Sequence, residues 1–128
     1  MGNLTATLCL TLAVLLGSAG LSWSADFQKG LTAAQSRDFA TALREWTPLA
    51  EQRDATAQYN LGVMYDNGQG VLQDYVCAHM WLNIAASSGE STDVSKNRDI
   101  LAKRMYSSQI EKAQDLAREC VRKKYKGC

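Results

Sequence analysis

The sequence predicts an all-α protein, a short α-solenoid of antiparallel helix hairpins with about six helices after an apolar N-terminal segment. Three observations predict it. Strand signals are weak: no stretch after residue 25 alternates with period 2, there is a single Pro, and Ala, Leu, Gln, Glu, Lys and Arg dominate. Apolar stripes at helical spacing recur, each opened by a capping residue and closed by a polar or Gly-containing break. A shift of 36 residues lays one of these segments on another.

The first 25 residues contain no Asp, Glu, Lys or Arg, and Leu8 to Leu16 reads LCLTLAVLL. That run has the length of a signal-peptide core and is shorter than the roughly 20 apolar residues a spanning helix needs. Small residues follow it. Cleavage is expected within 19–25: after Ser24, with Ser22 at the other small-residue position, or after Ala19 or Ala25. A basic n-region is missing, so the α-amino group alone supplies positive charge there. Residues 1–25 are read as a signal peptide, leaving an exported chain, periplasmic or secreted, with no stable membrane span after cleavage.

The elements follow in order. Asp26 to Gln35 forms a short helix presenting Phe27, Gly30, Leu31 and Ala34. Asp38 caps a second, with Phe39, Ala42, Leu43, Trp46 and Ala50 inward; Pro48 within it predicts a kink or a new first turn. Asp54 caps a third, carrying Ala57, Leu61, Met64 and Tyr65, and Asn67-Gly68-Gln69-Gly70 ends it. Asp74 caps a fourth, with Ala78, Trp81, Leu82, Ala85 and Ala86 inward, ended by Ser88-Gly89. A fifth is expected from Thr92 to Met105. Ser108 and Glu111 form a capping box for a sixth, whose stripe is Ile110, Ala113, Ala117, Cys120 and Val121.

The 36-residue shift carries Asp38 to Asp74, Phe39 to Tyr75, Ala42 to Ala78, Trp46 to Leu82, Leu49 to Ala85 and Ala50 to Ala86. The second and fourth helices are therefore equivalent elements of one repeating unit. A single helix pair cannot bury its apolar face, so such units stack.

Residues Ala57 to Gly89 read AQYNLGVMYDNGQGVLQDYVCAHMWLNIAASSG. This resembles the Sel1-like repeat, a relative of the tetratricopeptide repeat. Ala57, Leu61, Gly62, Tyr65, Gly68, Gly70, Val71, Asp74, Ala78, Trp81, Ala85, Ala86 and Gly89 fall where that pattern places them. Each has a packing reason. Gly62 and the alanines let helices approach closely, Gly68 and Gly70 give a turn with backbone freedom, Asp74 caps, and Tyr65 and Trp81 combine a large apolar body with a polar atom able to reach the surface. The resemblance divides the chain into a signal peptide (1–25), a degenerate N-terminal hairpin (26–53), a Sel1-like repeat (54–90) and a C-terminal helical pair (91–128). Arg53 departs from the pattern, which has Gly there. The resemblance implies a non-catalytic interaction module or adaptor of the bacterial envelope, of the short exported type, whose partner is another protein or a peptide.

Charge is divided along the chain. From Asp26 to Ser95 there are four basic and nine acidic residues, net −5; from Lys96 to Cys128 there are ten basic and four acidic, net +6. The basic C-terminal region can meet an anionic surface or serve as a solvated helix face. Arg122, Lys123, Lys124 and Lys126 cluster there, and for an exported chain no nucleic-acid partner is expected. His79 is the single histidine. It stands two residues from Cys77 on one helix, about 200° round, so the two cannot form a Cys–His pair. No metal-ligand spacing or phosphate-binding glycine loop is present, and no cofactor is expected.

Of four cysteines, Cys9 leaves with the signal peptide. Cys120 and Cys128 are expected to pair through a chain that folds back at Gly127, leaving Cys77 as a partly buried free thiol; the alternative makes Cys120 a small core residue and Cys128 a loose terminus. A cysteine-rich branch of the Sel1 family staples helices at the same spacing, and some members bind penicillin-like ligands. That resemblance implies an alternative function: a weak β-lactam or cell-wall-fragment binding or hydrolysing protein.

Overall fold

The computed structural model describes Cys9 and residues 25–128; apart from Cys9 and Ala25, the expected signal peptide lies outside the described residues. Among them are six helices and no strand: α1 (Phe27–Gln35), α2 (Phe39–Glu51), α3 (Ala55–Asn67), α4 (Tyr75–Ala86), α5 (Thr92–Ala102) and α6 (Ser107–Arg122). The architecture is an all-α, Sel1- and tetratricopeptide-like solenoid.

One local device starts the first four helices. The carboxylates of Asp26, Asp38, Asp54 and Asp74 accept from the backbone N–H three residues on, at Lys29, Thr41, Ala57 and Cys77, over 2.9–3.2 Å. Ser91 caps α5 through the Asp93 N–H at 3.2 Å. α6 departs from expectation: it opens at Ser107 with Tyr106 as its N-cap residue, and Gln109 Oε1 accepts the Tyr106 N–H at 2.8 Å. Ser108 and Glu111 already lie inside the helix. α5 ends at Ala102, three residues before the expected Met105. α2 runs through Pro48 without a break. Proline supplies no N–H to the Arg44 carbonyl, but Arg44 is exposed, where water can take its place.

α1 packs on α2, α2 on α3 and α3 on α4, in series; α5 and α6 then both lie against α4. The central helix is accordingly apolar nearly all round, burying Cys77, Ala78, Met80, Trp81, Leu82, Ile84 and Ala85 along with His79. Two glycines permit the closest approaches. A Cβ on Gly30 would lie 2.5 Å from Trp46 Nε1, and one on Gly62 would lie 2.9 Å from Leu82 Cγ. Gln58 secures the α2–α3 junction, its buried amide donating to the Ala50 carbonyl at 3.0 Å. α6 buries Ala113, Ala117 and Cys120, whereas Val121, expected on the same stripe, is 47% exposed.

Candidate interaction surface

The repeat positions divide by burial. Ala57, Leu61, Gly62, Tyr65, Ala78, Trp81 and Ala85 are all buried, and Ala86 is half-buried. Gly68, Gly70 and Gly89 have φ of 67°, 72° and 73°, the left-handed region glycine tolerates. These residues build the scaffold and leave little of themselves to touch a ligand. What the repeat shows to solvent is different: the half-buried Tyr59, Asn60 and Val63 of α3, and Leu72, 91% exposed in the loop between α3 and α4.

Neighbouring elements rim this surface. Asn97 Nδ2 of α5 donates to Tyr59 Oη at 2.9 Å. Arg104, just past α5, bonds both carboxylate oxygens of Asp66 at 3.0 Å and lies 5.1 Å over the Tyr75 ring, tying the ends of α3 and α5 to the start of α4. The basic region is partly neutralised within itself, since Lys96, Arg98, Arg118, Arg122 and Lys123 all pair with nearby carboxylates.

Two aromatic residues depart from their expected role. Trp81 is completely buried and its indole N–H finds no acceptor, so its polar atom does not reach the surface. Tyr65 is 6% exposed, and its hydroxyl donates to the Cys9 carbonyl. Burial, and after it the Asp74 charge, push that hydroxyl up to about 12. His79 is 4% exposed with Nδ1 unpartnered. Burial holds its imidazole below the ordinary 6.5, Arg98 acts in the same sense, and Asp99 opposes them.

The cysteines form two disulfides. Cys120 and Cys128 are bonded with Cα atoms 5.3 Å apart, and the returning tail sets Tyr125 beneath the Arg53 guanidinium, 5.4 Å from the ring centroid. Cys77 is bonded to Cys9, 68 residues away, with Cα atoms 5.4 Å apart. The expectation of a free, partly buried Cys77 is therefore corrected while residues 1–25 remain attached: it is 1% exposed and paired. That expectation set Cys9 aside with the signal peptide, whereas its sulfur reaches Cys77 on α4. The same bond occupies the Cys77 sulfur, and a Cys–His pair with His79 has no geometry to support it.

The stacked hairpins, the left-handed glycines and the Asp74 cap meet a known pattern. Residues 55–90 match the Sel1 repeat. No curated protein and no solved structure matches the chain. Sel1 repeats are generally protein–protein interaction modules. Among the described residues, no group of His, Cys, Asp and Glu side chains is placed to hold a metal ion, and no helix is long and apolar enough to cross a membrane.

Proposed function

We propose that this chain is a non-catalytic protein-interaction module of the bacterial envelope, exported by residues 1–25 and presenting its Sel1 repeat to a polypeptide partner. The observation that carries the reading is the match over residues 55–90, in which the helical pattern residues Ala57, Leu61, Gly62, Tyr65, Ala78, Trp81 and Ala85 are buried as scaffold and a half-buried neutral face around Tyr59, Asn60 and Val63 stays accessible. The domain plan keeps 26–53 as a degenerate hairpin and 91–128 as the C-terminal helices. Two disulfides support an oxidising compartment. Cutting the peptide bond leaves a Cys9–Cys77 disulfide intact, so the processed chain holds Cys77 as a thiol only where the leader is removed before Cys9 pairs; Cys120–Cys128 is kept either way.

The native chain, recovered from the exported fraction and immobilised, captures a defined polypeptide on this reading. Val63→Arg abolishes capture while far-UV circular dichroism is unchanged. The Cys120–Cys128 staple is the feature in favour of the penicillin-binding reading. Retention of a labelled penicillin with no polypeptide captured would establish that reading instead.

A further inference from the structure

The start of α1 sits on a built carboxylate. Glu45 of α2 is 8% exposed, an unusual burial for a glutamate. Its Oε2 accepts the Asp26 backbone N–H at 3.0 Å, and its Oε1 meets Lys29 Nζ at 3.3 Å. The adjacent residue holds the same turn: Trp46 Nε1 donates to the Phe27 carbonyl at 3.2 Å, and the Phe27 and Trp46 rings lie 5.8 Å apart. Gly30 supplies the space for that indole. Two consecutive α2 side chains thus grip two consecutive residues at the entrance of α1. That entrance coincides with two of the bonds at which the sequence permits cleavage, Ser24–Ala25 and Ala25–Asp26.

A buried carboxylate is costly unless matched by charge. Lys29 is half-exposed and answers one oxygen, while among the described residues the other receives only the neutral Asp26 amide. We propose that Glu45 is an amino-terminus-binding residue, and that it takes the α-ammonium group freed when the leader is cut immediately before α1. Hydrolysis adds one water across the peptide bond, leaving a carboxylate on the leader and an ammonium on the body. After a cut at Ala25–Asp26 that ammonium is the Asp26 nitrogen itself, already in contact. After a cut at Ser24–Ala25 it lies one residue out, within about 3.8 Å of chain. Either way a charge-assisted bond replaces or joins the amide contact, and processing locks α1 to α2. This rests on the export reading.

The test uses the native processed protein. N-terminal sequencing is expected to begin at Ala25 or Asp26. The terminal amine is expected to titrate above the ordinary 7.7–8.0, read from the pH dependence of its acylation by mass spectrometry, and to return to that range in Glu45→Gln. A processed chain beginning upstream of Ala25 or beyond Asp26 overturns the inference and leaves export standing. An uncut chain starting at Met1 overturns both. If Glu45→Gln does not fold, the wild-type titration decides alone, and an amine at its ordinary value sinks the idea.

Discussion

The α1–α2 hairpin and the α3–α4 repeat make the same turn from different residues. The left-handed residue after α1 is Arg37, φ 64°, after α2 it is Arg53, φ 71°, and after α3 it is Gly68, φ 67°. After each left-handed residue the next N–H bonds the carbonyl five positions back: Asp38 to Ala33 at 2.8 Å, Asp54 to Leu49 at 3.0 Å and Gln69 to Met64 at 2.9 Å. This is the Schellman closure, and in the first hairpin two arginines occupy positions where glycine is the natural choice. Their guanidinium groups stack on Phe39 and Tyr125, 5.9 and 5.4 Å from the ring centroids, a compensation glycine cannot make. The backbone closure is the same in both units although the residues differ, and the family match covers residues 55–90.

The comparison breaks first at the C-terminal staple, which braces the hairpin more than the repeat. Tyr125 meets Arg53, and the Gly127 N–H and Lys126 partly offset the burial that raises the Glu51 carboxyl. Cys128→Ser is expected to destabilise the fold by about 2–3 kcal/mol, the chain-entropy value for so short a ring. Denaturant midpoints measure the loss, and hydrogen exchange should show α2 opening more than α3. Equal opening of both helices would mean the staple acts on the whole chain.

Much of this was legible in the sequence. The aspartate caps, the hairpin order and the 36-residue equivalence all rest on local chemistry, and Asp38 and Asp74 do make the same bond to the third residue on. Arg53 was visible as a departure, but its consequence was not, because φ is a property of closure rather than of the side chain. The Cys9–Cys77 pairing was out of reach for a different reason: two thiols 68 residues apart carry no sequence signal of proximity. The grip of Glu45 on Asp26 was equally hidden, since a glutamate on a helix reads as solvated until its burial is seen.

Close packing is the next point of comparison. Gly62→Leu in the repeat and Gly30→Leu in the hairpin each force a side chain into an occupied site, Leu82 in one case and Trp46 in the other. Each is expected to destabilise by about 1–3 kcal/mol through overpacking, and so is Ala85→Leu on the buried side of α4. Thermal or denaturant unfolding checks them. An unchanged midpoint for Gly30→Leu alone would show that the hairpin is looser than the repeat.

pH separates the two units more gently. His79 lies in the repeat, and the position 36 residues earlier is Leu43. Because burial holds the folded His79 below its ordinary 6.5, the unfolded chain binds a proton in that window while the folded chain does not. Stability is therefore full above pH 6.5 and declines as pH falls toward the folded value. Unfolding between pH 7.5 and 5.5 measures the slope, and His79→Leu, which makes the repeat resemble the hairpin, should flatten it.

The smallest effect tests the turns themselves. Gly89 has φ 73° and nothing within 4 Å of where a Cβ would stand, so Gly89→Ala isolates left-handed strain from any clash. That strain is about 1–2 kcal/mol, and the smaller entropy of the unfolded Ala chain returns about 0.4–1. The expected net loss is roughly 0.5–1 kcal/mol. Arg53→Gly runs the exchange in reverse: it relieves the same strain, gives up the same entropy, and also loses the stacking on Tyr125, about 0.5–1 kcal/mol at an exposed site. These terms nearly cancel, and the midpoint should move by less than about 0.5 kcal/mol. The decisive comparison is Arg53→Gly combined with Tyr125→Ala. With the ring gone, only strain and entropy remain, and glycine should then stabilise relative to Tyr125→Ala alone. If it does not, stacking is not what keeps an arginine in a glycine's place.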